Sequence, residues 1–332
     1  MTDPTYPAFP VITLIGFVAV LIPLPWHFQA WNSGTCLYMI WTALSSLVLF
    51  VNSVIWQDNA ENVAPIWCDI SSRFMVGFAV ALPAASLCIN RRLYLLTSVQ
   101  SVTITREDKR RAVITDLCIG LGIPVIQMLL PPHPDTALGH RFNIYEGIGC
   151  YPFTFNTTLA YPLVVVWPLV IGLISSGYCF LTLRTFLQRR VDFSSITSAN
   201  SALTVNRYFR LMAIAMTDVV ITVPISAVGI YLGLTASVVS PWRGWADAHF
   251  DYSKVELVPA VLWRANRLNE VSLELTRWST PFSAFVFFIF FGFALEARKH
   301  YRMMYVVALK AIAHVLPAPL SAAVTRCVRL FH

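Results

Sequence analysis

Groups able to do chemistry are sparse in this chain, and fewer still lie in apolar surroundings. Asp218 sits deepest in a hydrophobic run, Asp116 lies near the end of another, and Asn52 is a polar neighbour within the expected reach of Asp218. A charge at mid-bilayer costs roughly 2.5 to 3.5 kcal/mol on insertion scales. All three are therefore expected to be buried polar groups, and for Asp218 a hydrogen-bonding role that differs between two conformations is favoured over a proton relay. A retinal-type Schiff base needs a lysine in the last apolar stretch, yet Lys109, Lys254, Lys299 and Lys310 all fall outside such stretches. No HExxH, paired intramembrane aspartates or nucleophile motif is present, so no catalysis, metal or cofactor is expected. Cys68 and Cys150 are the two cysteines predicted to face an oxidising compartment, where they can pair. Cys36, Cys88, Cys118, Cys179 and Cys327 are expected to stay reduced and to pack as small apolar groups, with palmitoylation a second reading for Cys327.

Seven apolar stretches must position these groups. The run from Pro4 to Gln57 contains no Asp, Glu, Lys or Arg. A bilayer core needs about 20 apolar residues per helix, so this run holds two spans that meet near Gln29, Asn32, Ser33 and Gly34. Helices are predicted over Ala8 to Phe28, Cys36 to Trp56, Ile66 to Ser98, Ala112 to Leu130, Ala160 to Leu187, Arg207 to Thr235 and Ser272 to Ala294. Hydrophobic residues make up 57% of the chain and charged residues only 12%, with a mean hydropathy of +0.64. That composition excludes an ordinary soluble domain. No repeat or linker divides the chain, so residues 1–296 read as one bundle and residues 297–332 as a short tail. The first stretch lacks a basic segment before it and a small-residue cleavage site after it, so it is expected to stay as a span.

Basic residues are retained on the cytoplasmic side of short loops, which sets the orientation. Arg91, Arg92, Arg106, Lys109, Arg110, Arg111, Arg184, Arg189, Arg190, Arg207, Arg210 and the basic residues after Glu296 share one side if the amino terminus is outside. Arg141, Arg243, Lys254, Arg264, Arg267 and Arg277 lie opposite, with Arg73 near the outer end of the third helix. The net charge of +7 thus reflects anchoring to anionic lipid and gives no sign of nucleic-acid binding. The outcome is an all-α membrane protein, a seven-transmembrane-helix bundle with its amino terminus outside and its carboxy terminus cytoplasmic. Asn90, Arg91, Arg92, Arg207 and Arg210 are candidates to face a cytoplasmic partner, with lipid anchoring the plainer reading. Asn156-Thr157-Thr158 is an outer glycosylation sequon set almost against the fifth helix, which limits access to it.

Several stretches carry a resemblance: Pro25-Trp26-His27, Asn90-Arg91-Arg92-Leu93-Tyr94, Asp116-Leu117 running to Gly120-Leu121-Gly122-Ile123-Pro124, and Gly139-His140-Arg141-Phe142-Asn143-Ile144 with Glu146 and Gly149-Cys150. Arg207-Tyr208-Phe209-Arg210 and Phe290-Phe291-Gly292-Phe293 followed by Glu296-Ala297-Arg298 complete the set. In this order they resemble the fungal a-factor-type mating pheromone receptors, the class D G-protein-coupled receptors, and most of all the mushroom-type members. The resemblance implies a plasma-membrane receptor for a prenylated peptide pheromone that signals through a heterotrimeric G protein. Arg73, His140, Arg141, Asn143, Glu146 and Arg277 are the outer polar candidates for ligand contact, and stabilisation of the loop fold is an equal reading of each. Many such receptors carry long hydrophilic tails, whereas here Glu296 to Leu316 reads as an amphipathic helix along the inner leaflet. An orphan receptor-like protein without pheromone coupling is the alternative, and a transporter comes third.

Overall fold

The computed structural model describes residues 3–98, 106–129, 141–154, 156–188, 205–235 and 253–293, with positions 239, 241, 297 and 301. Helices α1 (Ala8–Leu21) and α2 (Leu24–Gln29) continue one another across Pro23 and Pro25. They are followed by α3 (Ser33–Ile55), α4 (Pro65–Ser98), α5 (Arg106–Leu117), α6 (Ile123–Leu129), α7 (Trp167–Gln188), α8 (Val205–Thr235), α9 (Ala260–Ala265) and α10 (Arg267–Gly292). Six segments are helical, long and apolar enough to cross a bilayer: Ala8–Gln29, Ser33–Ile55, Pro65–Thr97, Arg106–Leu129, Trp167–Gln188 and Phe209–Thr235. The chain is a multi-pass membrane protein. The remaining long helix, α10, has 26 residues and carries Arg267, Glu270, Glu274 and Arg277 in its first half, yet it packs on α1, α3 and α8.

Helix α4 contacts α3, α6, α7 and α8 and forms the axis of the bundle. Its inward face presents Ala81, Ala84, Ala85 and Cys88, all fully buried. Small side chains let neighbouring backbones approach, which is how helices gain packing energy where lipid is as apolar as leucine. At Gly34, an added Cβ would stand 2.9 Å from the Cβ of Cys88.

Proline breaks the helical ladder, and the bundle meets the freed carbonyls with side chains. Pro124 has no N–H for the carbonyl four residues back, at Gly120, and a π-helical turn over Cys118–Gly122 absorbs its ring. The Gly120 carbonyl instead accepts the indole N–H of Trp41 on α3 at 2.9 Å. A second π-helical turn, Tyr161–Val165, precedes Pro168, and there the Leu163 carbonyl accepts from the Gln127 amide at 3.0 Å. Backbone polar groups within lipid thus stay satisfied.

The expectation of an all-helical fold needs one correction. Strands β1 (Phe142–Tyr145), β2 (Gly149–Tyr151) and β3 (Val255–Val258) form a sheet in the order β2-β1-β3 at one end of the bundle. β1 pairs antiparallel with β2, Asn143 opposite Tyr151, and parallel with β3, Phe142 opposite Val255. A disulfide joins Cys150 of β2 to Cys68 near the start of α4, with Cα atoms 5.2 Å apart. Phe142 and Ile144 pack with Trp56 and this bridge into a small core of their own.

The turn into β2 demands glycine. Gly149 has φ of +90°, and an added Cβ would lie 2.7 Å from the Cβ of Asn52 and 2.9 Å from the Trp56 ring. Gly149→Ala combines a backbone penalty of about 1 kcal/mol with that clash. Its thermal unfolding midpoint in detergent is expected to fall by several degrees. Gly177→Ala, whose Cβ would meet no atom within 4 Å, is expected not to lower it.

Candidate functional site

Polar side chains gather at both ends of the bundle. Opposite the sheet, Asp116 in the last turn of α5 is 1% exposed and points at the junction of α3 and α4. Its Oδ1 accepts from Nη1 of Arg91 at 3.3 Å, and its Oδ2 accepts from the Ser33 hydroxyl. Arg92, the next residue on α4, donates to the carbonyl of Trp31, which holds the α2–α3 turn with a left-handed φ of 56°. One buried carboxylate therefore fastens three helices. A small cavity lined by Asn32, Thr35, Cys88 and Arg92 opens beside it.

Arg210 on α8 completes this end, with its guanidinium 5.8 Å from the Phe291 ring and Nη1 3.5 Å from the Phe290 carbonyl. Asn90, expected among the partner-facing residues, is instead fully buried and donates to the Ser175 hydroxyl of α7 at 2.9 Å. In this arrangement it ties α4 to α7 and has no exposed surface. The side chain of Arg207 lies outside the described residues, as do His140, Cys327 and nearly all of the tail 297–332. Asp218 is buried in mid-bundle, where its Oδ1 accepts from the Thr222 hydroxyl at 3.3 Å, with Ser86 and Tyr38 close by. Asn52 does not partner it. That amide donates to the Cys150 carbonyl at 3.3 Å and accepts from the Trp67 indole at 2.7 Å, so it serves the sheet end.

At the sheet end the centre is Arg277 of α10, its side chain 3% exposed. Nη2 donates to Oδ2 of Asp3 at 2.8 Å and to the Thr5 hydroxyl, and Nη1 donates to the Gly147 carbonyl at 3.1 Å. Nε lies 3.0 Å from the Glu274 carboxylate, and the guanidinium stands 4.3 Å from the centre of the Phe9 ring. Arg264 of α9 reaches Oδ1 of Asp3 at 3.2 Å. Burial works against the charged form of Asp3, but the Thr5 N–H and the Arg277 charge outweigh it and hold the carboxyl below its ordinary value.

The other outer candidates have structural partners. Arg141 grips Asp69 through two nitrogens, Nε at 2.7 Å from Oδ1. Oε2 of Glu146 accepts the Ala260 N–H at 2.8 Å, while its carbonyl accepts the Trp263 indole at 3.1 Å. The Asn143 amide donates to the Tyr145 hydroxyl at 3.4 Å. Arg73 is exposed on α4. The Asn156 amide nitrogen, which a glycan would need, donates to the Gly233 carbonyl at 2.8 Å. Sequence reasoning passed over Asp3, Arg264 and Glu274 as members of the site. Their only signal is charge on the same predicted side as Arg277.

The structure gives a bundle of apolar helices with a disulfide-tied sheet at one end and a buried Asp116–Arg91 pair at the other, and comparison with known proteins decides the family. Residues 8–311 match the sequence model described as the pheromone A receptor. The chain belongs to the pheromone A receptor family. It is 48% identical over 312 residues to the pheromone B alpha 3 receptor of Schizophyllum commune, covering 94% of this chain and 49% of that relative. With the pheromone B alpha 2 receptor of the same fungus it shares 49% over 301 residues, covering 91% and 46%. Pheromone receptor 1 of Mycosarcoma maydis is 34% identical over 295 residues, covering 88% and 82%. The chain spans about half the length of the Schizophyllum relatives. Pheromone A receptors are not enzymes.

Two consequences follow from this family member's charges. The lowered Asp3 pKa contributes stability above the unfolded value of 3.8, and that contribution is lost as pH falls below 3.8 through the folded value. Acidification through that window is expected to expose residues 3–7 to limited proteolysis while α3 and α4 stay protected. Asp116→Ala leaves Arg91 beside a buried gap and is expected to cost about 3 kcal/mol, read as a lowered unfolding midpoint.

Proposed function

We propose that this chain is a plasma-membrane receptor for a prenylated peptide pheromone and signals to a heterotrimeric G protein. Membership of the pheromone A receptor family over residues 8–311 carries this reading, and its relatives are named as pheromone receptors. In it α10 is the seventh span. Its charged first turns lie at the sheet end, where Arg277 pairs with Asp3, and the rest of the helix as far as Gly292 packs on α1, α3 and α8. The amino terminus and the sheet are outside, where the Cys68–Cys150 disulfide persists. The Asp116 latch and the basic segments are cytoplasmic. Residues 1–296 are the receptor domain, and residues 297–332 form a cytoplasmic tail whose first part lies along the inner leaflet.

A prenyl chain gains about 0.8 kcal/mol for each methylene it buries, so it enters from the membrane while the peptide meets the outer sheet and loops. Ligand shifts the bundle toward an arrangement that it binds better, since only differential affinity can move such an equilibrium. In that arrangement the contacts among Ser33, Asp116, Arg91 and Arg92 part and open a crevice to the G protein, rimmed by Arg91, Arg92, Arg207 and Arg210.

The test is guanine-nucleotide exchange in a heterologous cell exposed to a panel of prenylated and unprenylated peptides. Exchange driven by a prenylated member alone is expected. Silence toward the whole panel from a receptor shown to be at the surface would overturn the ligand class. An Arg91→Ala receptor at the surface is expected to change its agonist response roughly tenfold, the size of a typical coupling energy between sites. An unchanged response would remove Arg91 from the switch.

A further inference from the structure

Two guanidinium groups and two carboxylates meet beneath the β1–β2 turn: Arg264 and Arg277 face Asp3 and Glu274. The charges balance, but the carboxylates differ in how they are held. Glu274 precedes Arg277 by three positions on the same helix, so it cannot leave unless α10 unwinds. Asp3 arrives on an arm, residues 3–7, that contains no helix. Pro4, Tyr6 and Pro7 of that arm are exposed and Thr5 is half-buried, which makes Asp3 the single buried side chain in it. A charged residue is the least suited to be the buried anchor of an exposed strand of chain, unless the place it enters is built for its charge.

The place is so built. Both carboxylate oxygens are taken, Oδ1 by Arg264 at 3.2 Å and Oδ2 by Arg277 at 2.8 Å. Gly147 closes the top, where an added Cβ would stand 3.3 Å from the Cβ of Asp3. The Nε of Arg264 is buried and donates to no partner among the described residues, so the site holds one more donor than Asp3 uses. Planar guanidinium groups recognise carboxylates by this geometry in preference to a point charge or a neutral amide. If the arm lifted away with nothing in its place, Glu274 alone would face the buried Arg277 and the half-buried Arg264, leaving a cation without its carboxylate. Exchange of one carboxylate for another avoids that state.

We propose that the cleft between Arg264 and Arg277 is a carboxylate-binding site that Asp3 fills from within the chain, and that an acidic group of a peptide ligand takes its place. The site rests on geometry alone, whereas its occupation by a ligand rests on the receptor reading above. The arm then acts as a tethered competitor. It sets a threshold that a peptide without a well-placed carboxylate does not cross.

The full chain with Asp3→Ala, in detergent, is probed with a synthetic peptide of residues 1–8 and with the same peptide carrying Asp3→Asn. The acidic peptide is expected to raise the melting temperature of the Asp3→Ala chain by a few degrees and to leave the wild-type chain, whose site is filled, unmoved. The Asp3→Asn peptide is expected to bind at least tenfold more weakly. Equal shifts from both peptides, or equal shifts of variant and wild type, would overturn the site. A full chain with Asp3→Asn, which keeps the side-chain volume, serves the same comparison should Asp3→Ala fail to fold. Stabilisation by the acidic peptide alongside silence to every pheromone peptide keeps the site and removes the receptor reading. Pheromone response without any carboxylate-dependent shift does the reverse.

Discussion

A charge held away from water in this bundle must meet its opposite inside the chain, because the surrounding lipid offers none. Asp116 meets Arg91 with the help of Ser33, and Arg277 meets Asp3 and Glu274. Each pairing recruits groups from separate elements, so neutralisation and tertiary assembly are one event. At the basic end it fixes where α3 and α5 sit against α4. At the sheet end it gathers the amino-terminal arm, the β1–β2 turn, α9 and α10 around a single guanidinium. Asp218 has no cation among the partners described and is met by hydroxyl groups instead, which is how a lone carboxyl is tolerated at that depth.

The two centres lie at opposite ends, and coupling between them needs an element that touches both. Helix α10 does so. Its Arg277 belongs to the sheet end, while Phe287 and Phe291 pack on the His27 ring, the latter with ring centres 4.6 Å apart, and Phe290 and Phe291 receive Arg210. Between these points it rests on α1 and α3, with Tyr38 stacked on Phe287. A shift or rotation of α10 would therefore disturb the Arg277 cluster and the Arg210 contacts together. Helix α4 packs on four neighbours and shares none of the Arg277 or Arg210 contacts made by α10.

Much of this was legible in the order of residues because a bilayer imposes length. Apolar runs delimited α1 with α2, α3, α4 and α8 to within about three positions, whereas the starts of α5, α7 and α10 were missed by five to seven, and the placement of cysteines brought out Cys68 and Cys150. What escaped has physical causes. Strands of three or four residues carry no alternation to read, and β1 finds β3 only after the bundle has brought distant loops side by side. Asn90 stands next to two arginines and so reads as exposed, although its place four residues after Ser86 on α4 turns it inward. Asp3 and Arg277 are 274 positions apart, and nothing local in either segment announces the other. Side-chain partners made by folding stay hidden where element boundaries do not.

The parallel pairing of β1 with β3 also constrains how the protein is made. Between the two strands the chain must complete α7 and α8, so the lid over the sheet end can close only once both helices are in place. A ribosome-bound chain that has emitted β1, β2 and their disulfide partner still presents Phe142 and Ile144 on an unfinished edge. Until Val255–Val258 arrives, that edge of β1 has no ladder partner.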